Sequence, residues 1–224
     1  MLKLAVFDLD GTLKCERDPF VYLHKRLGTL EAAEAFTALG FSGQITYDEW
    51  LRLDTGLWIG QPRATLTALL REIPYLPGAR ETVAALRAAG VTVAIISSGL
   101  LLHAQMVAEE FDIGLVFGNE IGFDGTGDTA RVNNIVTAHV PYGAKRPVLA
   151  ALQAQLGVTP AETLAAGDTR SDIGLFELAA VSVAVQPDHP AVAEAACVVL
   201  PTADLHGLLP ALRAYAPAFW PASL

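Results

Sequence analysis

Cysteine is nearly absent. Cys15 and Cys197 are the two that occur in 224 residues, so the chain has neither a disulfide framework nor a cysteine-based metal spacing. Cys197 sits in a β-like apolar run and reads as core, and Cys15 reads as a bystander beside an acidic strand end. Basic charge is scarce too: 15 lysines and arginines face 24 acids, for a net charge of −9. No lysine–arginine cluster occurs, which argues against nucleic acid as the main partner, because phosphate-backbone binding needs a basic face. A small phosphorylated substrate stays open, since it asks only for local positive charge. Long apolar runs are also missing. No segment approaches the roughly 18 uncharged residues of a membrane helix, and the first apolar stretch is broken by Asp8 and Asp10, unlike a signal peptide. A cytoplasmic protein with no membrane partner is the expectation; the oligomeric state is left open.

What is present is ample for a core: 52% of the residues are hydrophobic and 17% charged, far from the disordered class. The organising stretch is Leu4-Ala5-Val6-Phe7-Asp8-Leu9-Asp10-Gly11-Thr12-Leu13. A short apolar run bounded by a turn reads as a buried strand of a parallel sheet. Carboxylates at its carboxyl end stand where open α/β sheets bind ligands. Side chains two apart on a strand share a face, so Asp8 and Asp10 can share a site. Asp10-Gly11 can equally be a plain turn, and the stretch alone does not decide.

Residues 14–76 show no convincing long strand. Helical spacing covers 17–27, 30–39, 47–57 and 63–72, with Thr46 as an N-cap and Pro62 opening the last helix. An insertion of this length is too long for an ordinary strand–helix loop and reads as a small helical cap over residues 14–76. From Ala79 onward the pattern is regular: helix 79–89, strand 91–96 stopping at Ser97-Ser98-Gly99, helix 100–111 and strand 114–117. A hairpin follows around Asp124-Gly125, then helix 145–156, strand 163–166, helix 173–180 and strand 181–185. A loop holding Pro187 and Pro190, strand 197–200 and helix 205–214 complete it. Repeated strand–helix units imply an α/β core with a parallel sheet and helices on both faces, built from residues 1–13 and 77–224.

Three strands thus end in polar clusters: Asp8/Asp10, Ser97/Ser98/Gly99 and Asp168/Asp172. Lys145 opens a helix, where a positive charge opposes the macrodipole. In a parallel sheet these ends lie along one edge and can converge. Carboxylates suit a hard divalent cation such as Mg²⁺. Ser97 and the amides around Gly99 suit phosphate oxygens, and Lys145 adds positive charge. Compensation matters, because a phosphate charge about 4 Å from a carboxylate costs on the order of 4 kcal/mol at an effective dielectric of about 20. The five histidines are scattered without paired metal spacing and read as structural or exposed.

Asp8-Leu9-Asp10-Gly11-Thr12, Ser97, Lys145 and Gly167-Asp168 with Asp172 resemble, in order and spacing, the four motifs of the haloacid dehalogenase-like superfamily. The resemblance implies a Rossmann-like doubly wound sheet with Asp8 as a nucleophile that forms an aspartyl-phosphate. Asp10 would be the general acid and base. Mg²⁺ would be held by Asp8, the Asp10 backbone carbonyl and Asp168, with Asp172 in support. Ser97, Ser98, Gly99 and Lys145 would hold the phosphate.

The helical insertion, Ser97-Ser98-Gly99 and the stretch from Gly43 to Trp50 look like phosphoserine phosphatases. The cap departs from that pattern: Arg17 falls at an acidic position, with Glu16 one residue off, and Asp54 falls where an arginine is expected, with Arg52 two residues away. Glu16, Arg17, Tyr47, Arg52 and Asp54 are the candidate substrate contacts, although Tyr47 and Trp50 also read as packing within the insertion. The expected activity is Mg²⁺-dependent hydrolysis of a small phosphomonoester. The alternatives are a phosphatase for another small metabolite such as phosphoglycolate or a sugar phosphate, a phosphotransferase, or a regulatory binding protein on the same fold.

Overall fold

In the computed structural model, which describes residues 1–220, the apolar runs fold as β1 (Leu4–Phe7), β2 (Thr92–Leu100), β3 (Leu115–Asp124), β4 (Arg131–Thr137), β5 (Thr163–Gly167), β6 (Val181–Val185) and β7 (Val198–Leu200). They make one sheet in the order β4-β3-β2-β1-β5-β6-β7, parallel except for β4, which runs antiparallel to β3. β1 is therefore central and flanked on both sides, which is why every one of its four residues is buried.

Side-chain alternation on β1 feeds two cores at once. Ala5 and Phe7 join a layer with α5 (Ala79–Ala88), α6 (Leu101–Phe111) and α10 (Leu208–Tyr215). Leu4 and Val6 join the opposite layer with α7 (Lys145–Leu156), α8 (Ile173–Phe176) and α9 (Pro190–Ala195). This is the doubly wound arrangement expected from the sequence.

Four helices, α1 (Pro19–Leu27), α2 (Leu30–Phe41), α3 (Tyr47–Gly56) and α4 (Arg63–Glu72), form the insertion. Asp18 caps α1 by accepting from Val21 N, and Thr46 with Glu49 closes a capping box on α3. The apolar faces of α1 and α4, with Trp58 just after α3, share a third core, in which Leu23, Trp58, Leu66 and Leu70 meet Leu100, Leu102, Ile121 and Val132. The two connections to the sheet pair with each other: Cys15 N donates to Pro74 O and Leu76 N to Leu13 O, both at 2.9 Å. Between them Lys14 is buried, donating to Ile73 O and lying 3.9 Å over the Tyr75 ring. The β3–β4 hairpin also bonds to the insertion, with Val132 N donating to Gln61 O at 3.0 Å and Arg63 N to Ala130 O at 2.7 Å.

Several boundaries differ from the sequence expectation. β2 does not stop at Ser97 but runs on to Leu100, with a register shift against β3 between Ile96 and Leu100. The expected short strand 114–117 is the first half of one ten-residue strand, whose second half pairs with β4. The first helix begins at Pro19, because Asp18 is its cap. α8 ends at Phe176 and the chain turns before β6. The loop expected at Pro190 is instead the start of α9, with proline in the first turn where its missing N–H costs nothing.

Candidate active site

Asp8 follows β1 and is anchored by its backbone N–H to Ala166 O at 2.9 Å. The chain then closes a tight loop in which Gly11 has φ +84, and a Cβ there would lie 2.1 Å from Asp168 Oδ2. Gly11 therefore serves both the left-handed turn and the close approach of Asp168. Thr12 Oγ1 donates to Asp168 Oδ1 at 3.1 Å, which orients that carboxylate toward Asp8.

Lys145 is buried in the first turn of α7, with Nζ 2.6 Å from Asp8 Oδ1 and 2.6 Å from Asp172 Oδ1. That contact explains a lysine at a helix start, since two carboxylates outweigh one unfavourable dipole end. Asp172 is further committed through Oδ2, which accepts from Asp168 N at 3.0 Å and Thr169 N at 2.9 Å. It orders the loop that carries Asp168.

Oxygen atoms of Asp8, Asp168 and Asp172 lie within 4.8 Å of one another. Such crowding shows in the protonation equilibria. Burial and the Asp172 charge push Asp8 up to about 7, against Lys145, and burial with the Asp8 and Asp172 charges pushes Asp168 up to about 9. Burial depresses Lys145, but Asp172 and Asp8 outweigh it and hold the ammonium above its ordinary range. Asp168 Oδ2 is buried without a hydrogen bond, although Arg17 Nε stands 3.2 Å away in an ion pair whose geometry makes none. Three hard oxygen donors, one of them an orphaned lone pair, suit a divalent cation.

On the adjacent strand Ser97 Oγ donates to Asp10 Oδ2 at 3.1 Å and accepts from Gly99 N at 2.9 Å. A Cβ at residue 99 would fall 2.4 Å from Asp10 Oδ2, so glycine is required for β2 to pass this close. Ser98 turns aside: its hydroxyl lies 3.2 Å from Ser171 Oγ and 3.4 Å from Pro141 O.

Asp8, Asp10, Arg17, Tyr47, Asp54, Ser97, Ser98, Gly99 and Lys145 all line one cavity of about 410 Å³ between the sheet edge and the insertion. Asp168 and Asp172 are not among its lining residues, and two of the candidate substrate contacts are not brought there either. Glu16 turns its carboxylate back onto the Arg17 and Asp18 amides at 3.2 and 3.4 Å. Arg52 is exposed, because a residue two positions from Asp54 on a helix points away from it. Arg17 reaches the cavity but is engaged by Asp168 and by Gln186 O, to which it donates. Trp50, read as insertion packing, lines the cavity as well.

Two further residues carry no sequence signal. His103, in the first turn of α6, is fully buried with Nδ1 3.0 Å from Asp10 Oδ1, so one of the five scattered histidines stands against a candidate catalytic residue. Its Nε2 has no partner. Asn119, buried in β3, has Nδ2 2.7 Å from Ser98 O, 3.0 Å from Tyr47 Oη and 3.1 Å from Val140 O. Its Oδ1 accepts from Val140 N at 2.8 Å. One amide thus ties α3, the end of β2 and the loop before α7.

A family model of haloacid dehalogenase-like hydrolases matches residues 5–177, and the chain belongs to that family. Within it the similarity is to phosphoserine phosphatases. The chain is 30% identical over 213 residues to the phosphoserine phosphatase of Albidiferax ferrireducens, covering 92% of this chain and 88% of that protein. It is 28% identical over 182 residues to the phosphoserine phosphatase of Archaeoglobus fulgidus, covering 81% of this chain and 52% of that protein. The chain therefore spans about half the length of that archaeal relative. The solved structure of a probable phosphoserine phosphatase from Vibrio cholerae matches with a TM-score of 0.83 at 25% identity, over 97% of this chain and 66% of that one. Among the described residues, no helix is long and apolar enough to cross a membrane.

Proposed function

We propose that this chain is a Mg²⁺-dependent phosphatase that hydrolyses a small phosphomonoester through a phosphorylated Asp8, with residues 14–76 acting as a cap over the site and the cytoplasm as its place of work. The observation that carries the reading is the meeting of Asp8, Lys145, Asp172 and Asp168 at one sheet edge, with Asp10 and Ser97 on the same cavity.

Asp8, Asp168 and Asp172, with the Asp10 backbone carbonyl, would hold the metal, which when bound supplies the positive charge that lets a phosphate dianion approach carboxylates. Asp8 is the nucleophile. Its carboxylate oxygen bonds to phosphorus as the bond from phosphorus to the ester oxygen breaks, and Asp10 gives its proton to that leaving oxygen. Asp10 then takes a proton from water, whose oxygen attacks phosphorus and breaks the bond to Asp8. Phosphate leaves with Asp8 a carboxylate again and Asp10 again protonated. Lys145 holds Asp8 in place and adds charge beside the phosphoryl oxygens, while Ser97 Oγ and Gly99 N, which line the same cavity, would turn from Asp10 and from each other to bind them. Ser97 and His103 each hold one oxygen of Asp10, which leaves its remaining lone pairs for proton transfer.

The test is Mg²⁺-stimulated phosphate release from an aryl phosphate, coupled to borohydride trapping of the acyl-phosphate during turnover. Reduction at residue 8 is expected; trapping at another residue, or none during turnover, overturns the assignment.

A further inference from the structure

Beyond the reaction centre the cavity continues between α1, α2 and α3, walled by Phe20, Leu30, Phe41 and Leu51. Tyr47, Trp50, Leu51 and Asp54 recur at helical spacing on α3, so they share its inner face. Trp50 makes edge contacts with Phe41 at 5.1 Å and Tyr47 at 6.2 Å between ring centroids. Into this aromatic corner comes Asp54, whose side chain is 9% exposed.

Asp54 Oδ1 is buried and has no hydrogen-bond partner. The Trp50 indole leans toward the carboxyl and pulls its pKa down slightly, but Trp50 Nε1 reaches no partner with hydrogen-bond geometry. His24 does not neutralise it. Burial pulls His24 down to about 4, so the ring is uncharged, and its Nδ1 accepts from Trp58 Nε1 at 3.1 Å. Its Nε2 remains 3.8 Å from Asp54 Oδ1, too far for a hydrogen bond. Burial and the charge of Asp18, which also lines the cavity, push Asp54 up to about 7.

The cations on this cavity are committed or distant. Lys145 is held between Asp8 and Asp172, and Arg17 is held by Asp168 and Gln186 O. Lys25 is exposed at the far rim, about 10 Å along α1 from the cap residue Asp18. The cavity next to the reaction centre therefore presents carboxylates and aromatic faces, and among the described residues that line it the exposed Lys25 is the one cation not already engaged by a partner. A buried, unpaired carboxylate is costly unless a ligand completes it. An ammonium does so, and its charge also suits the faces of Trp50 and Tyr47.

We propose that the substrate is the phosphate monoester of an amino alcohol without a carboxylate, its ammonium seated on Asp54 against Trp50 and Tyr47. This rests on the phosphatase reading above and narrows it. The three-carbon amino acid ester O-phosphoserine differs from O-phosphoethanolamine only by a carboxylate, and propyl phosphate replaces the ammonium of the latter with a methyl group, so the comparison isolates each charge.

The test measures kcat/KM of the Mg²⁺-loaded full chain for these three esters and an aryl phosphate. O-phosphoethanolamine is expected to exceed both O-phosphoserine and propyl phosphate by at least about tenfold, the scale of one charge-assisted contact. In Asp54→Asn, whose shape is preserved, the preference over propyl phosphate is expected to fall about tenfold. Parity with O-phosphoserine, parity with propyl phosphate, or an unchanged preference in a folded Asp54→Asn variant would each overturn the proposal. Hydrolysis of the aryl phosphate alone overturns the substrate class and leaves the phosphatase reading standing. No hydrolysis of any ester overturns both.

Discussion

Around Asp8 the polar atoms restrain one another, Asp168 Oδ2 and His103 Nε2 excepted, whereas around Asp54 three buried polar atoms stand without partners. Asp172 accepts at both oxygens, Asp10 is held on both, and Lys145 bridges two carboxylates. On α3, Asp54 Oδ1 and Trp50 Nε1 are buried without partners, as is His24 Nε2 beside them. Preorganised charge is what a transition state rewards, because no reorganisation is left to do during the reaction. Unsatisfied groups are what a ligand rewards, because its binding removes a standing penalty. The contrast separates chemistry, built into strand ends, from selection, left to the insertion.

The sharpest way to break that contrast is at the nucleophile. Asp8→Asn is expected to lower kcat by at least about a thousandfold, since an amide offers no nucleophilic oxygen anion. Its melting temperature without metal is expected to hold or rise, because one of three crowded carboxylates has lost its charge. Turnover near the unsubstituted level in a folded variant would remove Asp8 from the mechanism. Less drastic is Asn119→Ala, which strips partners from Ser98 O, Val140 O, Val140 N and Tyr47 Oη together. A cost of about 2–3 kcal/mol is expected, read by urea unfolding. A loss below about 0.5 kcal/mol would show that water replaces the amide and that the tie between α3 and β2 is not structural.

His103 probes whether the restraint on Asp10 matters to turnover. His103→Leu removes the bond to Asp10 Oδ1 and also the partnerless Nε2. Activity and stability should then move in opposite directions: kcat falls about tenfold with KM nearly constant, while the melting temperature is kept or raised. His103→Asn, whose amide N–H can stand where Nδ1 stood, should recover part of kcat. A uniform loss of stability and activity in both variants would make His103 mere packing.

Much of the reaction centre was legible because its residues mark themselves locally. Asp8 and Asp10 interrupt an apolar run, Asp168 and Asp172 follow Gly167, and Lys145 opens a helix at the wrong end of its dipole. Each is odd where it stands, and a parallel sheet gathers such oddities along one edge. The α/β core was legible for the same reason, since buried strands are short apolar words between polar ones. His103 was not, because a histidine in a mostly apolar helix becomes remarkable only once α6 folds back beside Asp10. Asn119 sits inside a strand whose length depends on pairing with β4, a contact that no local pattern announces. Arg17 was placed as a candidate substrate contact by position alone; it lines the cavity, and Asp168, 151 residues further along the chain, engages its guanidinium, a contact invisible in the local sequence.

The gentlest test uses pH and leaves the sequence untouched. Asp8 and Asp168 are raised to about 7 and about 9 in the folded chain, burial being the leading cause, followed by neighbouring carboxylates. Unfolded, both return toward about 4. Between those limits the folded chain holds protons that the unfolded chain has released, so stability is greatest at the acidic side and falls as pH rises. In chelator, the melting temperature is therefore expected to drop by a few degrees between about pH 5 and about pH 8. Saturating Mg²⁺ binds the folded chain alone and competes with those protons, so it should raise the melting temperature most at the alkaline end and flatten the slope. A melting temperature that climbs with pH in chelator would mean that Lys145 and Arg17 already neutralise the cluster, and that the three carboxylates are held together for structure, with no cation awaited.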